Sequence, residues 1–243
     1  MSDTPASIET ILAELNEPQR QAVCHGNSPL LIVAGAGTGK TTTLAHRVAW
    51  LIEQGTEPSR ILLLTFSRRA AAEMLRRVDA ILRQTGRTRA GSAASHRVWG
   101  GTFHSVAARL LRRFGRMLDL QPEFSILDRG DAEDLTATLR TELGLGETGR
   151  RFPRKGTCMA IYSRLVNTQS TLETVLADSF PWCAEESEGL KELFAAYVDR
   201  KESQYCLDFD DLLVFWEALL ADPQAGSTVR KQFDHLLVDE YQD

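Results

Sequence analysis

The residues best suited to chemistry follow an apolar run at positions 30–33, where glycines, a lysine and threonines succeed one another. Glycines let backbone N–H groups converge on one centre, and they let a phosphate approach without meeting a Cβ atom. The pattern ends in Gly-Lys-Thr and is typical of the phosphate loop of a nucleoside triphosphatase. It predicts these nucleotide-binding residues: Ala34, Gly35, Ala36, Gly37, Thr38, Gly39, Lys40, Thr41 and Thr42.

Lys40 and Thr41 carry the main predicted contacts to a bound triphosphate. The lysine would reach the β- and γ-phosphates, and the threonine hydroxyl would ligate Mg²⁺. A helix starting near Lys40 adds its positive N-terminal end. Ala34 stands where the usual pattern has glycine, and since alanine is small we treat the change as minor. The alternative is a glycine-rich turn without a ligand, which the position between a strand pattern and a helix pattern disfavours.

Two acids near the other end of the sequence, Asp239 and Glu240, would complete such a site. They follow the apolar run Leu236–Val238, a predicted strand, and open parallel sheets bind ligands at the carboxyl ends of their strands. Asp239 can hold Mg²⁺ there, usually through water, and Glu240 can orient or deprotonate the attacking water. A solvated strand end is the alternative, and the phosphate loop favours the catalytic interpretation.

Three apolar runs predict buried strands at Leu30–Val33, Ile61–Phe66 and Leu236–Val238. Apolar residues at helical spacing predict a helix over 41–54, ending at Gly55. A strand, a helix and a second strand of this kind predict a parallel sheet with a right-handed crossover. The predicted fold class is therefore α/β.

Weaker patterns fill in the remaining elements. Residues 119–206 are predicted to be mainly helical, without a comparable buried-strand run. Further helices are predicted within 7–23, over Ser67–Arg83 with Ser67 as its cap, over His104–Leu118 and from Asp208 onward. A strand is predicted over Val98–Thr102 and a loop over 86–101. Turns are predicted at Asn16–Pro18, 144–149, Pro153 and Phe180–Pro181.

Composition places the chain among ordinary globular proteins. It has 243 residues, of which 43% are hydrophobic and 25% charged. We find neither a basic start followed by an apolar run nor a stretch near the roughly 18 residues of a membrane span. The scattered cysteines form no CxxC pair, which predicts reduced cytosolic thiols rather than a metal site or disulfide framework: Cys24, Cys158, Cys183 and Cys206.

The net charge of −5 hides a local excess of positive charge. Between positions 68 and 116 there are twelve arginines and only two acids, Glu73 and Asp79. Such an excess suits a polyanion, most simply nucleic acid, although a solvated helix face is an equal alternative on charge alone. The arginines are at positions 68, 69, 76, 77, 83, 87, 89, 97, 109, 112, 113 and 116.

Taken in order, these stretches resemble the motifs of the UvrD/Rep/PcrA-type superfamily-one helicases. The resemblance covers nearly the whole chain and is most specific over 15–43, 61–78, 98–114 and 205–243. Its motifs read LNEPQRQAV, AGAGTGKT, ILLLTFSRRAAAEM, GTFHS, LDFDDLL and VDEYQD.

The resemblance implies roles for individual residues. Gln19 is implied to contact adenine, and Gln242 to couple the γ-phosphate state to motion. The residues implied to contact DNA are Thr65, Phe66, Arg68, Arg69, Thr102 and His104. Arg68 stands where the family usually has asparagine, so this chain departs from the family's usual DNA contact at that position. Arg69 keeps the cationic character of the usual lysine.

Several side chains keep a structural alternative. Phe66 combines with nearby arginines as a stacking face for single strands, or it is a core aromatic that ends a strand. His104 contacts DNA or caps a backbone group, and Trp99 and Phe103 are expected in the core. A metal site is less favoured than helix N-terminal acids for Asp208, Asp210 and Asp211.

The resemblance implies a P-loop (RecA-like) parallel sheet with helices on both faces, interrupted by an inserted helical subdomain. We expect residues 1–115 to begin a motor domain, 116–206 to be the insertion and 207–243 to return to the motor domain, incomplete at the C-terminus. A second motor domain that supplies arginines to the γ-phosphate is expected beyond this sequence, so the fragment alone is expected to be inactive.

The implied function is an ATP-dependent DNA helicase or translocase, moving 3′ to 5′ in DNA repair, replication or recombination. It would use ATP and Mg²⁺, act on single-stranded DNA or duplex with a single-stranded tail, and work in the cytoplasm without a membrane partner. The alternatives are a non-catalytic nucleotide- and DNA-binding fragment, and the helicase subunit of a helicase–nuclease.

Overall fold

A computed structural model of the protein describes residues 6–86, 94–145 and 152–242. These residues form two compact units. The first consists of the described residues up to Val106 and from Asp222 onward, and the second runs from Ala107 to Ala221.

Helices make up most of both units. The α-helices are α1 Ala6–Leu12, α2 Glu17–Val23, α3 Lys40–Glu53, α4 Arg68–Gln84, α5 Phe103–Phe114, α6 Arg129–Glu142, α7 Lys155–Thr168, α8 Leu172–Ser179, α9 Ser187–Ser203, α10 Phe209–Ala221 and α11 Pro223–Arg230. Short 3-10 helices span Pro58–Arg60, Ala94–Arg97, Gly115–Leu118 and Pro181–Glu186. The strands are β1 Ile61–Thr65, β2 Trp99–Thr102, β3 Ser125–Ile126, β4 Cys206–Leu207 and β5 His235–Val238.

The first unit is built on a parallel sheet with the strand order β2-β1-β5. Leu63 in the central strand lies opposite Gly100 on one side and Leu237 on the other. All five residues of β1 are buried, as expected for a strand covered on both faces. The predicted α/β class with a parallel sheet is confirmed.

Helices α3 and α4 cover this sheet with apolar faces. Val48 and Leu51 of α3 and Met74 and Val78 of α4 share one core with β1. As predicted, α4 is capped by Ser67, whose Oγ accepts a hydrogen bond from the backbone N–H of Ala70 at 3.1 Å.

The predicted strand at Leu30–Val33 is wrong in the structure. These residues form no strand, and Leu31 and Val33 are 70% and 86% exposed. A strand requires a hydrogen-bonded neighbour, and none of the described strands pairs with this segment. The apolar run therefore has the composition of a strand without the partner that would form one.

The predicted turn at Asn16–Pro18 is instead the start of α2. The Asn16 side chain accepts a hydrogen bond from the N–H of Gln19, whose side chain accepts one from the N–H of Asn16, each at 3.0 Å. This reciprocal cap, with Pro18 in the first turn, explains why a turn-forming sequence begins a helix.

The second unit has its own apolar core, formed largely by α6, α7, α8 and α9. It also contains two short parallel strands, β3 and β4, which were not predicted because two residues carry no periodic signal. Its bounds differ from the predicted insertion of 116–206, since α10 belongs to this unit. The pairing of β4 with β3 and the bonds from α9 to the start of α10 account for that grouping.

Candidate ATP site and nucleic-acid-facing residues

The predicted phosphate loop is an exposed turn that leads into α3. Gly37 and Gly39 have φ angles of 75° and 85°, in the left-handed region that favours glycine. The Thr38 hydroxyl donates a 2.7 Å hydrogen bond to the carbonyl of Gly35, which closes the turn. The loop therefore places two glycines in a conformation that favours glycine, directly before the N-terminus of α3, and helix N-termini favour anions.

Lys40 lies across this loop. Its Nζ donates hydrogen bonds to the carbonyl oxygens of Ala34 at 2.8 Å and Gly35 at 3.2 Å. The ammonium thus lies against the backbone of the loop.

Thr41 and Asp239 meet although 198 positions separate them. The Thr41 hydroxyl donates to Oδ2 of Asp239 at 3.1 Å. Asp239 is buried, and its N–H donates to the carbonyl of Leu64 at 2.9 Å, which fixes it at the carboxyl end of β5. A hydroxyl and a carboxylate side by side are the hard oxygen donors that Mg²⁺ prefers.

Glu240 has a different environment from that of its neighbour. Its φ angle is 51°, and its side chain is exposed. Its Oε2 accepts a 2.6 Å hydrogen bond from Nε2 of Gln242. The structure therefore brings together the two residues that were predicted to handle water and to couple the γ-phosphate state to motion.

Gln19 reaches the phosphate loop from α2. Its Nε2 donates a 3.1 Å hydrogen bond to the carbonyl of Thr38. A Cβ atom at Gly39 would lie 2.9 Å from the same Nε2, so the absence of a side chain at Gly39 makes room for this contact.

Arg77 also contacts the loop helix, which the sequence did not indicate. Its Nη1 donates to Oγ1 of Thr42 at 2.9 Å, while its Nε pairs with Glu73 at 3.1 Å. The sequence places Arg77 among the arginines that suit a polyanion. The run of positive charge is visible in sequence, but the direction of one side chain is not.

The residues predicted to contact DNA differ in exposure. Phe66 is 68% exposed, so the alternative of a core aromatic is wrong. Arg68 and Arg69 are exposed in the first turn of α4. Thr65 is fully buried and its Oγ1 has no hydrogen-bond partner among the described residues, so its side chain presents no surface to a ligand.

The second predicted DNA motif forms the start of α5. Thr102 Oγ1 accepts a hydrogen bond from the N–H of Ser105 at 3.2 Å, and His104 is half-buried. Trp99 is also half-buried and packs edge-on against Phe233 at 5.5 Å. Phe103 is 37% exposed, so its expected place in the core is wrong.

The acids at the start of α10 form an ion cluster with a buried lysine. Asp208 and Asp211 accept hydrogen bonds from each other's backbone N–H at 2.9 Å. Lys201 Nζ lies 2.7 Å from Asp208 and 2.5 Å from Asp211. Over 6–86, 94–145 and 152–242 no group of three His, Cys, Asp or Glu residues is placed to hold a metal.

Burial by itself lowers the pKa of Lys201, but the charges of Asp211 and Asp208 raise it by more, so the net shift is upward. Burial also raises the pKa of Asp211 and raises that of Tyr162 to about 12. Asp208 and Asp211 thus lie at the N-terminal end of α10, as favoured from sequence. They also form a buried ion pair with Lys201, which the sequence did not reveal.

The arginines between 68 and 116 do not share one environment. Arg97 pairs with Glu57, and Arg77 contacts α3. Arg109 and the arginines that follow it belong to the second unit, whereas Arg87 and Arg89 lie outside the described residues. The described arginines between 68 and 116 therefore differ in their contacts and are divided between the two units.

None of the described helices is both long enough and apolar enough to cross a membrane.

Comparison with known proteins agrees with this geometry. A family model described as the UvrD/REP helicase N-terminal domain matches residues 15–243. The chain is 38% identical over 249 residues to ATP-dependent DNA helicase UvrD1 of Mycobacterium tuberculosis, covering 98% of this chain and 30% of the relative. It is 33% identical over 238 residues to DNA helicase II of Escherichia coli, covering 97% and 31% respectively.

The chain is also 32% identical over 235 residues to ATP-dependent DNA helicase PcrA of Bacillus subtilis, covering 96% of this chain and 30% of the relative. It therefore spans about 30% of the length of the curated relatives that it matches.

Proposed function

Because this chain belongs to the UvrD/REP helicase family, we propose that it is the N-terminal ATP-binding part of an ATP-dependent DNA helicase. The protein would translocate 3′ to 5′ on single-stranded DNA and act in DNA repair, replication or recombination. Residues 1–115 and 207–243 would serve its motor domain, and 116–206 would be an inserted helical subdomain. Its partner would be single-stranded DNA or duplex with a single-stranded tail, in the cytoplasm.

The contact between Thr41 and Asp239 carries this proposal. Their side chains are 3.1 Å apart although one residue follows the phosphate loop and the other ends a distant strand. Such convergence of the two halves of a nucleotide site supports binding of ATP with Mg²⁺. A turn that served only to connect elements would not need a buried carboxylate at this point.

Each residue of the proposed site would have its own role in ATP hydrolysis. Lys40 would meet the β- and γ-phosphates, and Thr41 and Asp239 would hold Mg²⁺. Mg²⁺ held there would supply positive charge that offsets the negative charge of the phosphates. Glu240 would orient or deprotonate the attacking water, and Gln242 would help couple the γ-phosphate state to motion. Gln19 would contact adenine.

Phe66, Arg68 and Arg69 support a nucleic-acid function. Arginines in the first turn of α4 oppose the helix dipole, so they do not stabilise the isolated helix. An anion bound there would be favoured by both the dipole and the guanidinium groups. An exposed phenylalanine next to them adds the stacking face that single-strand binding uses.

Nucleotide binding is tested by a titration with fluorescent ATP and Mg²⁺. We expect Lys40→Ala to weaken binding about tenfold or more, because the lysine is the main side-chain charge on the phosphates. Lys231→Ala is the matched control, since Lys231 is an exposed lysine of the same unit. Equal affinities for Lys40→Ala and the unaltered protein would contradict the phosphate-loop assignment.

Single-strand binding is tested by fluorescence anisotropy with labelled oligo(dT) at several salt concentrations. We expect the log–log slope to be about −0.7 for each phosphate neutralised. Phe66→Ala should lose roughly 1–3 kcal/mol of stacking, whereas Trp182→Ala, at an equally exposed aromatic of the second unit, should not. Binding that ignores both salt and the Phe66 substitution would remove this surface from the proposal.

A further inference from the structure

We propose that Thr65 is a positioning residue for Asp239, and that one water joins the hydroxyl of Thr65 to the carboxylate. The inference rests on the proposed function, because it concerns the carboxylate that would hold Mg²⁺ beside ATP. It gives a role in the nucleotide site to a residue whose burial keeps it away from DNA.

The hydroxyl of Thr65 is buried at the end of the central strand β1. The side chain is 0% exposed, and its Oγ1 has no hydrogen-bond partner among the described residues. An unpaired buried hydroxyl costs free energy, so most buried polar atoms bond another group or an ordered water. Valine would supply the same β-branched shape to the strand without that cost. The hydroxyl therefore requires an explanation other than packing.

Asp239 lies beside Thr65 on the neighbouring strand. Leu64 is in register with Val238, and the N–H of Asp239 donates to the carbonyl of Leu64 at 2.9 Å. Thr65 and Asp239 are the next residues along these two parallel chains. Because side chains alternate along extended chains, two residues that are level with each other share one face of the sheet. The hydroxyl and the carboxylate are therefore neighbours, and both residues are buried.

The separation of neighbouring strands suits a bridging water. Strands lie about 4.7–4.9 Å apart, which exceeds the roughly 2.7–2.8 Å of a direct O–H···O hydrogen bond. Two such bonds that meet at one water with a roughly tetrahedral angle span about 4.6 Å. The spacing thus agrees with the finding that Thr65 Oγ1 has no direct partner among the described residues.

The carboxylate of Asp239 has the capacity for this second bond. Its Oδ2 accepts a hydrogen bond from the Thr41 hydroxyl at 3.1 Å, and an ionised carboxylate offers about four lone-pair sites. Partners of this kind orient a metal-binding side chain, and their loss typically weakens metal affinity by about 10–100-fold. Thr41 and the water on Thr65 would together fix the direction of the carboxylate before Mg²⁺ binds.

Thr102 is the neighbour of Thr65 on the other side, in register on β2. Its Oγ1 already accepts a hydrogen bond from the N–H of Ser105 at 3.2 Å. Hydrogen bonds to an ionised acceptor are shorter and stronger than those to a neutral hydroxyl. Asp239 is therefore the better partner for a water held by Thr65.

The test measures binding of fluorescent ATP to the chain over a series of Mg²⁺ concentrations and again in excess EDTA. Thr65→Val keeps the shape of the side chain and removes the hydroxyl. Its half-saturating Mg²⁺ concentration should rise about tenfold or more, while its affinity for ATP in EDTA should stay unchanged. Thr65→Ser keeps the hydroxyl and should retain most of the Mg²⁺ affinity.

Thr136→Val is the matched control. Thr136 is 1% exposed in the second unit, and its Oγ1 donates to the carbonyl of Ala132 at 2.8 Å. This variant also loses a buried hydroxyl, and its half-saturating Mg²⁺ concentration should not change. If Thr65→Val does not fold, Thr65→Ala and Thr65→Ser differ only in the hydroxyl, and their comparison should show the same shift.

Equal Mg²⁺ dependence of Thr65→Val and the unaltered chain would overturn the inference and leave the proposed function standing. So would an equal loss of ATP affinity in Mg²⁺ and in EDTA, since Thr65 would then act on the fold of the site rather than on the metal ligand. An unaltered chain whose ATP binding ignores Mg²⁺ would instead contradict the proposed function, and the inference with it.

Discussion

Asp239 and Glu240 are neighbours in the chain, but their carboxylates have different surroundings. Asp239 is buried and accepts a hydrogen bond from Thr41, whereas Glu240 is exposed and accepts one from Gln242. A buried carboxylate with a fixed oxygen partner suits a metal ligand, and an exposed one at the end of a strand suits contact with water.

The first prediction concerns Glu240→Gln in the full-length helicase of which we propose this chain to be a part. ATP binding should remain nearly intact while turnover is lost, because the amide keeps the shape of the side chain and removes the base. Steady-state phosphate release and a nucleotide titration measure the two quantities. Glu202→Gln, at an exposed position of α9, is the control. Turnover at the unaltered rate would assign the base to another residue.

Single residues of the candidate site could be proposed from the sequence where a motif fixes their spacing. Lys40 and Thr41 follow from the loop pattern, and Gln19 from the family resemblance. Arg77 and Lys201 were not predicted, because charge counts do not show which partner a long side chain finds. The resemblance places Thr65 in a motif, but it does not show that the side chain of Thr65 is buried.

At the scale of elements, the sequence predicted a helix or a strand correctly where the residues that determine it lie within that helix or strand. β1 and the capped helix α4 agree with expectation because apolar content and the Ser67 cap are local. The run at 30–33 is apolar like β1 but forms no strand. Strand formation depends on a neighbour that composition does not specify.

Lys201 joins α9 to the beginning of α10 through the capping acids Asp208 and Asp211. Tyr197 of α9 also donates to Asp208 at 3.0 Å. The predicted boundary at 206/207 therefore falls inside a bonded cluster, and the compact unit extends beyond it to Ala221.

The second prediction is that Lys201→Met strongly destabilises the protein. Removing the lysine leaves two carboxylates without their cation, and breaking a buried pair in this way costs about 3–5 kcal/mol. Chemical denaturation measures the change in the free energy of unfolding. Lys191→Met, which removes an exposed lysine paired with Glu173 and Glu188, should have no measurable effect. Equal stability of the two variants would show that the cluster is not a stabilising one.

At the scale of the whole molecule, each compact unit has its own apolar core. Multi-unit proteins commonly depart from two-state unfolding, so ligands and substitutions can act on one unit at a time. The residues that we propose to bind nucleotide belong to the first unit and Lys201 to the second.

The third prediction therefore concerns calorimetry of the chain. ATP with Mg²⁺ at about a hundredfold over its Kd should stabilise the first unit by about 2.7 kcal/mol and raise its transition temperature. Lys201→Met should lower the transition of the second unit and leave the nucleotide-dependent shift unchanged. Lys40→Ala should reduce that shift and leave the second transition in place. One transition that responds equally to all three changes would show that the units unfold together.

β5 lies at an edge of the described sheet, and Leu236 on it is 62% exposed. An edge strand with an apolar side chain is a template for strand addition by another molecule. Concentrated preparations should therefore scatter more light as strands of different molecules pair. Binding constants are best measured in dilute samples, where this self-association does not compete with nucleotide or DNA.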